Sequence, residues 1–278
     1  MKPCVLRIGN FATEEIPSVK TAGFEAIELH VRDIVGTSPA PTLPPFDGDV
    51  VLRSDRLTDA TYGAVYDFVS KGGGRLINDP AENQLLSNFE LHYPKIAAFS
   101  PNAIILPSGT PPEEILERLR ASGIRFPVFV KTEMKSLKGD SILAAPTLDA
   151  ITMLAAKLHD AFAPFATFVV KEMVNLDEIG QPPETLEYRS FVLDGHVVHR
   201  EGGRRGIVLP DAAENGAAEF ISRVVSALTQ AGFPRHYIID VAKLAGTSGF
   251  IVVEIKDAQF TKAKDYERFW QAMGGYFT

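Results

Sequence analysis

Asp194-Gly195 is the clearest short-range signal in this chain. It is a two-residue turn of the kind that closes tight hairpins, flanked by Tyr188–Leu193 and His196–Glu201, both rich in residues that favour strands. With two turn residues fixed, cross-strand partners follow by counting outward. Leu193 then faces His196, Val192 faces Val197, Phe191 faces Val198, Ser190 faces His199 and Arg189 faces Arg200. Two arginines opposed on neighbouring strands repel each other. Either both heads splay into water or an anion lies between them, because guanidinium forks match phosphate and carboxylate oxygens. Arg204 and Arg205 follow directly, in a chain with 28 Lys plus Arg against 35 Asp plus Glu and a net charge of −7. That local concentration of positive charge favours the anion. The overall acidity argues against a broad nucleic-acid or anionic-membrane surface.

A second hairpin is expected from Tyr237–Leu244 and Phe250–Lys256 around Ala245–Gly249. Each strand carries a carboxylate within an apolar run, Asp240 in one and Glu254 in the other. A turn centred near Thr247 sets the two against each other. Charges in such places need a partner or an ion. Two facing carboxylates suit Mg²⁺, whereas Lys256, two residues from Glu254 and on its face, offers a plain salt bridge. Lys131 ends Pro127-Val128-Phe129-Val130 and Lys171 ends Phe168-Val169-Val170. A lysine at a strand end is ordinarily solvated. Two of them beside these arginines and carboxylates compose a nucleotide cleft, with Lys135–Ser141 as a loop over phosphates and Glu172-Met173-Val174 offering backbone groups to an adenine edge.

The organisation changes along the chain. Over the first ninety residues, short apolar runs (Cys4–Ile8, Ala26–Val31, Asp49–Arg53, Arg75–Ile77) alternate with helical stretches, which predicts a small parallel α/β unit. The four-proline segment Gly36–Phe46 reads as a loop. Helices are expected over Thr58–Ser70, Asp79–Tyr93, Glu113–Ser122, Leu148–Phe162 and Gly216–Gly232, with strands at Phe126–Lys131 and Thr167–Lys171. The carboxy-terminal half thus reads as antiparallel hairpins with helices. Residues 1–95, 96–165 and 166–278 are the expected domains.

Several chemistries are excluded. Neither a P-loop nor a G-x-G-x-x-G that opens a helix after a strand is present, and G-x-S-x-G and H-E-x-x-H are also missing. The single cysteine, Cys4, rules out a disulfide framework and a cysteine-rich metal cage. The N-terminus meets a charge before any signal-peptide core, and no run of about eighteen apolar residues occurs. A cytoplasmic protein without membrane or nucleic-acid partners is expected.

The order of these elements resembles the ATP-grasp superfamily. The resemblance is carried by Arg75-Leu76-Ile77-Asn78-Asp79-Pro80, Pro127–Lys131, Phe168–Val174, Glu187-Tyr188-Arg189 with its Asp-Gly hairpin, and Tyr237–Asp240 with Val253–Gln259. It implies an α/β domain followed by α+β lobes, antiparallel sheets with helices, that hold ATP between them. It further implies Lys131, Lys138 and Lys171 near the nucleotide, Glu172, Met173 and Val174 at adenine, and Asp177 or Glu178 near the ribose. Asp240 and Glu254 would hold Mg²⁺. Arg189, Arg200 and Lys256 would stand at the transferred phosphate. The implied activity is ligation of a small-molecule or peptide carboxylate to an amine through an acyl phosphate, with ADP as product. A non-catalytic ATP-binding module and phosphoryl transfer to a hydroxyl are the alternatives. Two positions depart from the superfamily's pattern: Lys256 stands where most members have asparagine, and the loop after Lys131 has a single glycine, Gly139. The lysine is similar to a divergent clade marked by an arginine and extra lysines.

Overall fold

In the computed structural model the described residues are 3–9, 13–35, 45–132, 144–153, 156, 167–179, 184–202 and 211–277. They group into two compact units, one comprising Met1–Leu86, Leu186–Val241 and Glu254–Thr278, the other Ser87–Thr185 and Ala242–Val253. The first unit thus joins segments far apart in sequence, through contacts that composition does not register.

In the first unit β1 (Cys4–Ile8), β2 (Glu25–Leu29), β3 (Gly48–Arg53) and β4 (Gly74–Leu76) form a parallel sheet in the order β2-β1-β3-β4. Alternation along these strands supplies two apolar faces. Cys4, Leu6, Ile8, Val50 and Leu52 pack with Tyr62, Val65 and Val69 of the helix Asp59–Lys71. Thr58 caps that helix, its side chain accepting from the Thr61 N–H at 3.2 Å. Gly74 is required where β4 passes Phe46, since a Cβ there would lie 2.5 Å from the Phe46 Cβ. Val5 and Val51, on the other face, pack with Phe191, Leu193, Ile238, Phe269 and Trp270 from the last hundred residues. Being apolar on both faces is what a buried parallel sheet demands. The second face also buries Arg53, whose guanidinium holds Glu15 through bonds of 3.0 and 2.6 Å, while the Trp270 indole N–H donates to the same carboxylate at 3.1 Å. Asn78 fastens the end of β4 to His236, donating to its carbonyl at 2.7 Å and accepting its N–H at 2.9 Å.

A further sheet has the order β12-β11-β13-β14, from β11 (Glu187–Leu193), β12 (His196–Gly202), β13 (His236–Lys243) and β14 (Phe250–Asp257). The turn is as the sequence requires, with φ of 48° at Asp194 and 76° at Gly195. The register is not. Partners shift between Phe191 and Val192, so Phe191 faces His199, Ser190 faces Arg200 and Arg189 faces Glu201. Val198 is an extra residue, and one extra residue carries every later side chain of β12 to the opposite face. The expected arginine pair does not form.

In the second unit β5 (Ala103–Pro107), β6 (Val128–Thr132), β7 (Ala144–Ala145) and β8 (Thr167–Glu172) form an antiparallel sheet in the order β5-β8-β6-β7. Leu106, Val128, Val130, Phe168 and Val170 turn one face toward Ile115 and Leu119 of the helix Pro112–Ala121 and toward Ile151. Strand β5 was not expected, because its short apolar run lies between prolines. The helix expected over Asp79–Tyr93 is two helices, Pro80–Ser87 and Phe89–Ile96, with the Asn88 side chain capping the second by accepting the Glu90 N–H at 2.9 Å. Among the described residues no helix is long and apolar enough to cross a membrane.

Candidate functional site

The residues singled out in the sequence fall into two groups, one in each unit. In the second unit Val169 faces Lys131 across β6 and β8, and Lys171 is two residues beyond Val169. Both lysines therefore leave the sheet on the face opposite its core. Lys131 and Lys171 are buried, 8% and 6% exposed, and their ammonium groups lie 5.3 and 5.7 Å from the centre of one ring, that of Phe89. Cation–π attraction contributes about 0.5–2 kcal/mol per ammonium. It does not remove the mutual repulsion of two cations gathered over one ring, and such a surface suits a polyanion. Lys171 also donates to the Val253 carbonyl at 3.2 Å.

Pairing in β8 stops at Glu172, whose N–H donates to the Asn102 carbonyl at 2.7 Å. Met173 and Val174 continue outside any strand, and Met173 is exposed. The segment regains partners at Asn175, which accepts the Ala245 N–H at 3.0 Å, and at Asp177, whose N–H donates to the Lys243 carbonyl at 2.8 Å. The Asp177 carboxylate binds the Lys243 ammonium, and that hydrogen bond holds its pKa below the ordinary value. Glu178 is exposed on the two-residue strand β9 (Glu178–Ile179), which pairs with β10 (Glu184–Thr185). Lys138, with the rest of the 135–141 loop, lies outside the described residues, as do Arg204 and Arg205.

In the first unit Arg189 closes a fork on Asp240, Nε to Oδ1 and Nη2 to Oδ2, each at 2.8 Å. Burial alone would lower the Arg189 pKa. The bonds and charge of Asp240, with Glu201 and Glu254 acting from further off, outweigh it and raise the pKa. Glu254 is paired with Lys256, the salt bridge that the two-residue spacing allowed. Arg200 faces Ser190 and is exposed, on the opposite face of the hairpin from Arg189. Two carboxylates on neighbouring strands, both acting on one guanidinium, are a donor set that suits one hard divalent ion whose remaining ligands are phosphate and water oxygens. Binding an ion there requires Arg189 and Lys256 to release them.

Three residues of these groups were not singled out in the sequence. Phe89 gathers the lysines, Lys243 holds Asp177 and Glu201 faces Arg189. The first two depend on contacts remote in sequence, and Glu201 was hidden by the register shift.

The fold has close counterparts. Similar structures include a RimK-domain ATP-grasp protein from Sphaerobacter thermophilus, at 12% identity and TM-score 0.65, with 99% of each chain covered. D-cycloserine synthetase DcsG is similar at 14% identity and TM-score 0.60, with 99% of this chain and 100% of that chain covered. The D-alanine–D-alanine ligase from Bacillus anthracis, solved with ATP, is similar at 13% identity and TM-score 0.60, covering 98% and 95%. No curated protein matches the chain by sequence. The model of the ATP-grasp domain, R2K clade family 2, matches residues 115–269, more than half of the chain, so the protein belongs to that family.

Proposed function

We propose that the protein is an ATP-dependent ligase that joins a carboxylate to an amine. The observation that carries the proposal is the convergence of Lys131 and Lys171 on the Phe89 ring, two buried cations on one face of a sheet. A nucleotide polyphosphate is an anion suited to such a pair of cations. Backbone groups of Met173 and Val174, which lie outside any strand, together with the end of β8 at Glu172, receive the adenine edge, and Asp177 or Glu178 receives the ribose. Lys138 is assigned to the phosphates by its position in the sequence after β6.

The substrate carboxylate oxygen attacks the γ-phosphorus, the bond to the β–γ bridging oxygen breaks, and ADP leaves with that electron pair. The amine nitrogen then attacks the acyl carbon, the acyl–oxygen bond breaks, and inorganic phosphate leaves as the nitrogen gives up its proton. Charge spreads over the phosphoryl oxygens during the first step, so positioning and fixed cations supply most of the acceleration. Arg189 and Lys256 supply those cations here. Arg200 is left out, because the observed register turns it to the other face. Asp240 and Glu254 would hold a magnesium ion, which when bound neutralises phosphate charge.

Calorimetric titration with the non-hydrolysable analogue AMP-PNP tests the nucleotide first, and ADP release across a panel of acids and amines tests the chemistry. Release that needs both co-substrates is expected. Release with a hydroxyl compound alone would mark a phosphotransferase, and binding without release under any pairing would mark a non-catalytic module.

A further inference from the structure

Glu201 has a carboxylate that the proposed chemistry leaves unused. The extra residue at Val198 places it across from Arg189, on the same face of the hairpin. One oxygen, Oε1, accepts the backbone N–H of Lys264 at 2.6 Å and of Asp265 at 3.3 Å, and lies 3.2 Å from His199 Nε2. The other, Oε2, is buried with no hydrogen-bond partner among the described residues. Burial pushes the Glu201 pKa up, but the His199 contact and the two backbone donors outweigh it and hold the group ionised. A buried, ionised oxygen without a donor is costly to keep. The cation opposite it is occupied elsewhere, with both arms of the Arg189 fork on Asp240.

We propose that Glu201 is the second seat of the Arg189 guanidinium, taken when another ligand claims Asp240, and is therefore a positioning residue for that arginine. The unpartnered oxygen is the vacant acceptor, and the cross-strand register is what brings it within reach. When Asp240 turns to a cation, Arg189 moves from one carboxylate to the next and remains over the hairpin face, with N–H groups left for a phosphoryl oxygen. This catalytic consequence rests on the ligase reading. The exchange of partners does not.

The test is a thermal-melting cycle on the full chain without nucleotide, comparing the parent with Asp240→Asn, Glu201→Gln and the double variant. Glutamine keeps Oε1 as an acceptor for Lys264 and Asp265 and replaces Oε2 with an uncharged amide nitrogen that cannot accept from Arg189. In Asp240→Asn the guanidinium has moved to Glu201, so Glu201→Gln is expected to lower the melting temperature several degrees further there than in the parent. An equal or smaller shift in the Asp240→Asn background overturns the proposal and leaves Glu201 as an anchor for the backbone ahead of the last helix. Should Asp240→Asn fail to fold, Arg189→Met replaces it. The charge of Glu201 then has no cation to hold, and Glu201→Gln should be neutral or stabilising; a loss as large as in the parent overturns the proposal. Failure of the parent to bind AMP-PNP would sink the ligase reading and leave this cycle intact.

Discussion

Arg189 on β11 and Asp240 on β13 are joined by two parallel hydrogen bonds of 2.8 Å, and the pair is more than half withdrawn from water, with side chains 29% and 8% exposed. The residue suited to an anion and the residue suited to a metal ion thus satisfy each other. Neither is free for a ligand until the pair opens. Removing one partner strands the other in a site of low exposure. Asp240→Asn is expected to lower stability by about 2 kcal/mol, below the figure for a fully buried pair because Arg189 retains some water. Chemical denaturation of parent and variant measures it, and an unchanged midpoint would show the pair to be energetically empty.

Lys131 carries a charge largely withdrawn from water beside Phe89, and in the proposed function it meets the nucleotide. Lys131→Ala is expected to weaken AMP-PNP binding by about tenfold or more, roughly 1.4 kcal/mol, with little change in melting temperature. Phe89→Leu leaves the charges but removes the ring that both contact, and a smaller loss of affinity is expected. Dissociation constants from calorimetry equal to the parent's in Lys131→Ala would remove that lysine from the nucleotide site.

Val198 controls which residue stands opposite Arg189. Deleting it is expected to restore the plain count from Asp194-Gly195, setting Arg200 against Arg189 and carrying Glu201 to the other face. The variant then has two opposed guanidiniums and lacks the Glu201 anchor of the Lys264 and Asp265 N–H groups. A drop in melting temperature of at least several degrees is predicted. Glu201→Gln, which alters stability in the parent, should have no further effect in the deletion.

Asp194 reports on pH. Hydrogen bonds from Arg235, Nε to Oδ1 at 2.5 Å and Nη2 to Oδ2 at 2.8 Å, hold its folded-state pKa below the ordinary value. A depressed folded pKa contributes stability that is fully present above the unfolded value of about 3.9 and is lost as pH falls through the folded one. Asparagine tolerates the positive φ of 48° at this position, so Asp194→Asn keeps the turn and removes the charge. The variant is expected to be less stable than the parent by about 1 kcal/mol at pH 7, with the difference shrinking below pH 4. A pH-independent difference in denaturation midpoints would assign the effect to the turn instead of the ion pair.

Most of the elements were legible in the amino-acid order. Short apolar runs marked β6 and β8, and Asp194-Gly195 marked the hairpin, because strand propensity and turn chemistry act within a few residues. Lys131, Lys171, Arg189, Asp240, Glu254 and Lys256 were identifiable as charges set into apolar strands. Apart from the Glu254–Lys256 salt bridge, what they pair with was not. The bulge at Val198 has no signature in its own sequence, yet it exchanges Arg200 for Glu201 opposite Arg189. Phe89 reaches the two lysines from a helix entry some forty and eighty positions away, and Val5, Val51 and Ile77 join Phe191 and Trp270 in one core across most of the chain. Local propensity fixes the direction in which a side chain leaves the backbone. Its partner is chosen by packing between distant segments, a many-body outcome that no short window of sequence contains.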